Sequence, residues 1–257
     1  DIQQSLSPYF RLIILFLGSS LFIFFTELPE IKVLYLSLLN DIFVLKILVF
    51  TLSLMLLMNG FNFIDGLNGL SSFNFISVLL SILYLANKFE DIFLINLIYI
   101  ILIISILILI FNFPYAKIFI GDSGSYLYAL FSGALVIYLF QRNENLPTLL
   151  SMVILAYPIT EMLFSILRKS IRGYSPMKPD TKHLHHLIFH LLSGNPKKNN
   201  FIASILMLPF CFLPFLLNYL SINYQLIGEE FIFLFYFSVY VITYLILEIK
   251  YKKLAKV

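Results

Sequence analysis

The stretch Ile92–Asn112, IFLINLIYIILIISILILIFN, holds no charged residue, no proline and no glycine. As a helix it would be about 30 Å long, which matches the hydrocarbon thickness of a bilayer. A strand of a membrane barrel would alternate apolar with polar residues, and this stretch does not. It reads as a membrane-spanning helix. Comparable runs recur near 10–27, 42–58, 70–87, 124–141, 148–167, 201–219 and 230–248, so the chain is expected to make about eight crossings. Of its 257 residues, 60% are hydrophobic and 12% charged, a balance no ordinary soluble domain shows. The expected fold is an all-α, polytopic membrane protein, a single domain over residues 1–257.

Charge orients it. Arg11, Lys117, Arg168, Lys169, Arg172, Lys178, Lys182, Lys197, Lys198, Lys250, Lys252, Lys253 and Lys256 fall on one set of loops, which the positive-inside rule places in the cytoplasm. Glu27, Glu30, Asp41, Glu90, Asp91, Glu144, Glu229 and Glu230 fall on the other. The net charge of +3 comes from helix ends, where topology and anionic lipid account for it. No nucleic-acid partner is expected. The lone cysteine, Cys211, excludes an internal disulfide and a multi-cysteine zinc site. The chain opens Asp1-Ile-Gln-Gln-Ser-Leu-Ser-Pro8, without methionine and in what reads as mid-loop, so an N-terminal truncation is expected.

Three polar stretches interrupt the apolar background, all on the basic side. In the first, Asn59, Asn62 and Asp65 stand three apart, on one face if the preceding helix continues through them. Gly66 and Gly69 follow, and either a capped turn or a ligand site satisfies this pattern. In the second, Gly121-Asp122-Ser123-Gly124-Ser125, the aspartate is either a helix N-cap or a ligand for a hard cation such as Mg²⁺. Phe119, at the membrane edge, can pack or stack on a base. The third holds every histidine of the chain, His183, His185, His186 and His190, beside Arg168, Lys169 and Asp180. Arginine and histidine so placed suit an anion and the charge developing on a leaving phosphate. His190 is expected to be structural. Carboxylates and amides, with no thiolates, favour magnesium over zinc.

These residues resemble the polyprenyl-phosphate N-acetylhexosamine-1-phosphate transferases, glycosyltransferase family 4. The motif Asn-x-x-Asn-x-x-Asp-Gly-x-(Asp/Asn)-Gly-Leu is met by Asn59 to Leu70, and Gly-Asp-x-Gly-Ser by Gly121 to Ser125. The third motif is met by Arg168, Lys169, Gly173, Ser175, Pro176, Asp180, His183, His185 and His186. The Ser-Pro and His-x-His-His forms are similar to the branch that initiates O-antigen, enterobacterial common antigen and teichoic acid synthesis.

The resemblance implies transfer of a sugar 1-phosphate from a UDP-N-acetylhexosamine to undecaprenyl phosphate in the bacterial inner membrane, at a cytoplasmic active site, with Mg²⁺ or Mn²⁺. A homodimer is a further candidate partnership. By the same carry-over, Asp122 and Asn62 hold the metal, Asn68 and Phe119 the uracil, and Arg168, Lys169, His183, His185 and His186 the diphosphate and sugar. Asp65 orients the site, with Asn59 beside it. Asp1, as the remnant of the family's aspartate pair, joins Arg11 at the acceptor phosphate. The family plan has about eleven helices, of which about eight are expected here. A transporter is the rival reading, and Glu161 near Pro158 is its best support.

Overall fold

The computed structural model describes residues 7–33, 36–175, 180–224 and 228–254. Asp1 and Pro176 lie outside the described residues. Among the described residues there is no strand, and the chain is a bundle of helices. These are α1 (Pro8–Phe24), α2 (Phe43–Ile64), α3 (Leu70–Lys88), α4 (Ile92–Asn112) and α5 (Gly121–Arg142), then α6 (Leu150–Ile154), α7 (Ala156–Ile171), α8 (Leu184–Leu191), α9 (Pro196–Tyr224) and α10 (Glu229–Leu254). A short 3₁₀ turn, Ser37–Asn40, leads into α2.

Six of them, α2, α3, α4, α5, α9 and α10, are long and apolar enough to cross a membrane. This is a multi-pass, all-α membrane protein. Two of the eight expected spans differ from the expectation. The first, α1, has 17 residues and is shorter than the six. The run at 148–167 is broken at Leu155 into α6 and α7. Pro158 explains the break, because its ring collides with the carbonyl four residues earlier, which belongs to Ile154, the last residue of α6. Within α7 Pro158 is the third residue, where no intrahelical N–H bond is needed.

Helix ends follow local chemistry. The Ser7 hydroxyl accepts from the Phe10 N–H at 3.2 Å and starts α1, and Asp91 does the same for α4 through the Leu94 N–H at 3.0 Å. Glu229 and Glu230 open α10 and Lys252 and Lys253 close it, complementing its dipole.

In the interior, α3 packs against α9, α4 and α5, while α2 packs against α5, α1 and α7. Serines and an asparagine on α3, Ser71, Ser72, Asn74, Ser77 and Ser81, are buried among these neighbours, as expected where helices approach closely within lipid. The most hydrophobic helix, α4, instead exposes Ile100, Ile103, Leu107 and Ile110, the face that lipid would cover. At the crossing of α2 and α7 a side chain on Gly60 would lie 2.4 Å from the Pro158 carbonyl oxygen. Only glycine admits this approach.

The two ends of the bundle differ. One joins the start of α1 and α5 to the ends of α2 and α7, with α8 beside them. The other is tied by Arg142 Nε to Asp91 at 2.8 Å, Gln141 to Glu27 at 2.6 Å and Lys32 to the Glu144 carbonyl.

Candidate active site

The end of α2 is where the three polar stretches meet. The helix runs on past the expected span, through Ile64, and so carries Asn62 beyond the apolar core. Its Nδ2 donates to Asp122 Oδ1 at 2.8 Å. Asp122 does not cap α5. That helix starts at Gly121 after Ile120, with no side-chain cap, and Asp122 stands in its first turn. The other Asp122 oxygen is 3.1 Å from Arg11 Nη2 on α1, with both side chains close to half exposed. Ser125 Oγ donates to the Asp122 carbonyl at 3.0 Å and fixes the turn.

Asp65 follows α2 directly and receives the Gly121 N–H. Burial, and then the charge of Asp122, push its pKa up to about 7. Two carboxyls and an amide therefore gather around one spot with Arg11 at its edge. The donors are hard oxygens, the site is open to solvent, and the Asp65–Asp122 repulsion is of the kind a divalent cation relieves. Among the described residues no cage of three or more His, Cys, Asp or Glu exists.

The first and third stretches touch at Gly66. A Cβ there would lie 2.4 Å from His185 Nε2 and 3.1 Å from His186 Cε1. His185 is fully buried, and its pKa is driven well below the ordinary histidine range by burial, then by His186 and His183. His186, half-buried, is lowered to about 4 by burial and by the neighbouring His183 and His190. Both rings are therefore neutral at physiological pH. His183 caps α8. Its Nδ1 is 2.7 Å from Glu161 Oε1, its Nε2 is 3.6 Å from Asp180 Oδ1, and its ring lies 5.0 Å from that of Phe63 on α2.

Arg168 is buried at the end of α7 and is held by Asp180 through two bonds of 2.9 and 3.1 Å, with its guanidinium 5.7 Å from the Tyr244 ring. Burial favours the protonated form of Asp180, but the bonds and charge of Arg168 win and hold its pKa below the usual carboxylate value. A basic pocket opens here, lined by Arg168, Lys169, Arg172, Asp180 and Lys182. Gly173, at φ +71°, makes the turn that a side chain would strain.

Other expected residues stand apart. Asn59 donates to the Met55 carbonyl of its own helix at 2.8 Å. Asn68 braces its loop, with Nδ2 on the Pro114 carbonyl at 2.8 Å and its N–H on Asn200 at 3.0 Å. Phe119 is 81% exposed, at the approach to α5. Sequence reasoning counted Asp180 in the third motif without giving it a role, and left Glu161 and Tyr240 out of the site. For Glu161 the available signal was the cost of an acid inside an apolar run, which requires a partner.

A multi-pass helical membrane protein with an acidic, amide-lined cluster and a basic pocket at one end of its bundle is thus defined by fold and site. Residues 1–140, more than half the chain, match the glycosyl transferase family 4 profile, and the chain belongs to that family of polyprenyl-phosphate N-acetylhexosamine-1-phosphate transferases. It is 32% identical over 132 residues to the undecaprenyl-phosphate alpha-N-acetylglucosaminyl 1-phosphate transferase of Thermotoga maritima, covering 51% of this chain and 39% of that one. With the decaprenyl-phosphate N-acetylglucosaminephosphotransferase of Mycolicibacterium smegmatis it shares 31% identity over 155 residues, 52% of this chain and 38% of the relative. The matched stretch thus spans well under half the length of these relatives. No solved structure matches the chain.

Proposed function

We propose that the protein transfers N-acetylhexosamine 1-phosphate from a UDP-sugar to undecaprenyl phosphate and releases UMP, opening the synthesis of a cell-envelope polysaccharide at the cytoplasmic face of the bacterial inner membrane. The carrying observation is the Arg11–Asp122–Asn62 cluster beside Asp65. The names of the relatives give a coarser reaction for them, transfer of phosphorylated N-acetylglucosamine to undecaprenyl or decaprenyl phosphate, which supports this reading.

In this reaction a lipid-phosphate oxygen bonds to the β-phosphorus of the nucleotide sugar, the bond from that phosphorus to the bridging oxygen breaks, and UMP leaves. A phosphate monoester is already largely dianionic near neutral pH, so alignment and charge stabilisation matter more than a base. Asp122 and Asn62 would hold magnesium, or manganese in its place, with Asp65 orienting them. The bound ion would supply charge neutralisation at the diphosphate. Arg11 presents its guanidinium to the acceptor phosphate, in the region to which the resemblance assigns Asp1. Phe119 offers a free ring to the uracil, and Asn68, with one Nδ2 hydrogen given to the Pro114 carbonyl, keeps Oδ1 and its second Nδ2 hydrogen for a base. The basic pocket and His186 face the diphosphate and sugar, while Lys169 closes over the Phe63 ring at 5.8 Å.

The test is UMP release by purified protein supplied with undecaprenyl phosphate, Mg²⁺ and a panel of UDP-N-acetylhexosamines. Asp122→Ala is expected to lower turnover by about a hundredfold or more. Near-normal turnover in that variant would remove the metal assignment, and no UMP from any sugar would remove the reaction.

A further inference from the structure

Glu161 is an acid on α7 with 1% of its surface exposed. Within a membrane bundle such a group persists only with partners, and it has two, each on a different element. The Tyr240 hydroxyl of α10 donates to Oε2 at 2.5 Å, and Oε1 meets His183 Nδ1 at 2.7 Å. Tyr240 belongs to a stripe on α10, Tyr236, Tyr240, Tyr244 and Glu248, whose members recur every four residues and so share one face. Tyr236 donates to the Phe210 carbonyl at 2.7 Å, and Glu248 takes Arg172 at 2.7 Å. The stripe therefore clasps α7, α9 and, through Glu161, the histidine loop.

A carboxylate is an acceptor at both oxygens, so the ring nitrogen facing it carries the proton. Which nitrogen of a histidine is protonated is set by the bond the other makes. We propose that Glu161, steadied by Tyr240, is a positioning residue that keeps a proton on His183 Nδ1 and so holds the ring with Nε2 turned to Asp180, the acid that grips Arg168 in the basic pocket. Its effect on turnover rests on the transferase reading.

Glu161→Gln preserves shape and both contacts, but the amide must accept from Tyr240 and donate to His183 Nδ1. The ring proton then moves to Nε2, where it faces Asp180. In the protein labelled with ¹⁵N-histidine in detergent micelles, His183 (identified by its loss in His183→Gln) is expected to carry a proton on Nδ1 in the wild type and on Nε2 alone in Glu161→Gln. An unprotonated Nδ1 in the wild type, or the same pattern in both, overturns the assignment.

In turnover, kcat/KM for the UDP-sugar should fall about tenfold, the worth of one hydrogen bond, with KM for undecaprenyl phosphate unchanged. Equal losses toward both substrates would overturn the positioning role. Tyr240→Phe, which leaves the contact between Glu161 and His183 in place, should keep the Nδ1 proton and most of the turnover. A loss as deep as that of Glu161→Gln would mark a general loosening of α10 and overturn it too. If the wild type releases no UMP with any UDP-sugar, the transferase reading fails while the nitrogen signals still decide the tautomer.

Discussion

Gly66 sits where a single methyl group tests whether the first and third polar stretches are truly in contact. In Gly66→Ala the new carbon would stand 2.4 Å from His185 Nε2, 3.0 Å from His185 Cδ2 and 3.1 Å from His186 Cε1. The His185 ring is fully enclosed and has nowhere to swing, so the strain must move α8 relative to α2. Overpacking of this kind costs about 1–3 kcal/mol. For a chain of this length about 2 kcal/mol lowers the unfolding midpoint by roughly 4–8 °C.

Cys211 supplies the assay. It is the sole cysteine and is wholly buried in α9, so a thiol-reactive fluorogenic probe lights up only as the bundle opens. Gly18→Ala, whose added carbon meets nothing within 4 Å, is the control and should leave the midpoint unchanged or slightly raised. In a His185→Ala background the Gly66→Ala cost should largely vanish, because the two sites are in contact. An unchanged midpoint, or a cost that persists without the His185 ring, would refute the packing of these stretches.

Asp65 makes a pH prediction. With its carboxyl raised to about 7 from 3.8, its contribution is fully present below pH 3.8 and is lost as pH rises through 7. In EDTA, the midpoint of the wild type is expected to fall between about pH 4 and pH 8 and Asp65→Asn to flatten that fall, and identical slopes would contradict the burial and the Asp122 repulsion. Phe119→Ala should leave the thermal midpoint within about 1 °C, as expected for an exposed side chain away from the core. Its KM for the UDP-sugar should rise about tenfold from the lost stacking. Unaltered kinetics would free that ring of any role with uracil.

Much of this architecture is written locally. The charge-free run at Ile92–Asn112 emerges as α4 with those same bounds, because nothing in it offers water a reason to interrupt the helix. The Asn62–Asp122 pairing was foreseeable in kind, since amides and carboxylates at membrane-flanking positions seek one another. Other features depend on facts that sequence spacing does not carry. Arg168 finds its anion in Asp180 of its own loop, and whether such a loop folds back on itself is settled by packing against Tyr244. Glu161 and His183 are 22 residues apart, and their meeting depends on how α7 leans on α2. The α10 stripe has helical spacing, but in a chain with 16 tyrosines and 28 phenylalanines periodic aromatics single out no face. The break at Leu155 follows from Pro158, yet Pro209 and Pro214 lie inside an unbroken α9, so proline alone did not announce it.

The join between α6 and α7 has a mechanical consequence. From Leu155 to Arg168 the helix is about 20 Å long, so a change of only about 10° at the join would carry the far end sideways by about 3.5 Å, more than the length of a hydrogen bond. The arm is therefore a lever whose angle must be set accurately at its short end. The backbone contact between Gly60 and the Pro158 carbonyl is the stop against which it rests. Tuning of the basic pocket can thus originate some ten residues away from it, at a position that touches no ligand and carries no charge.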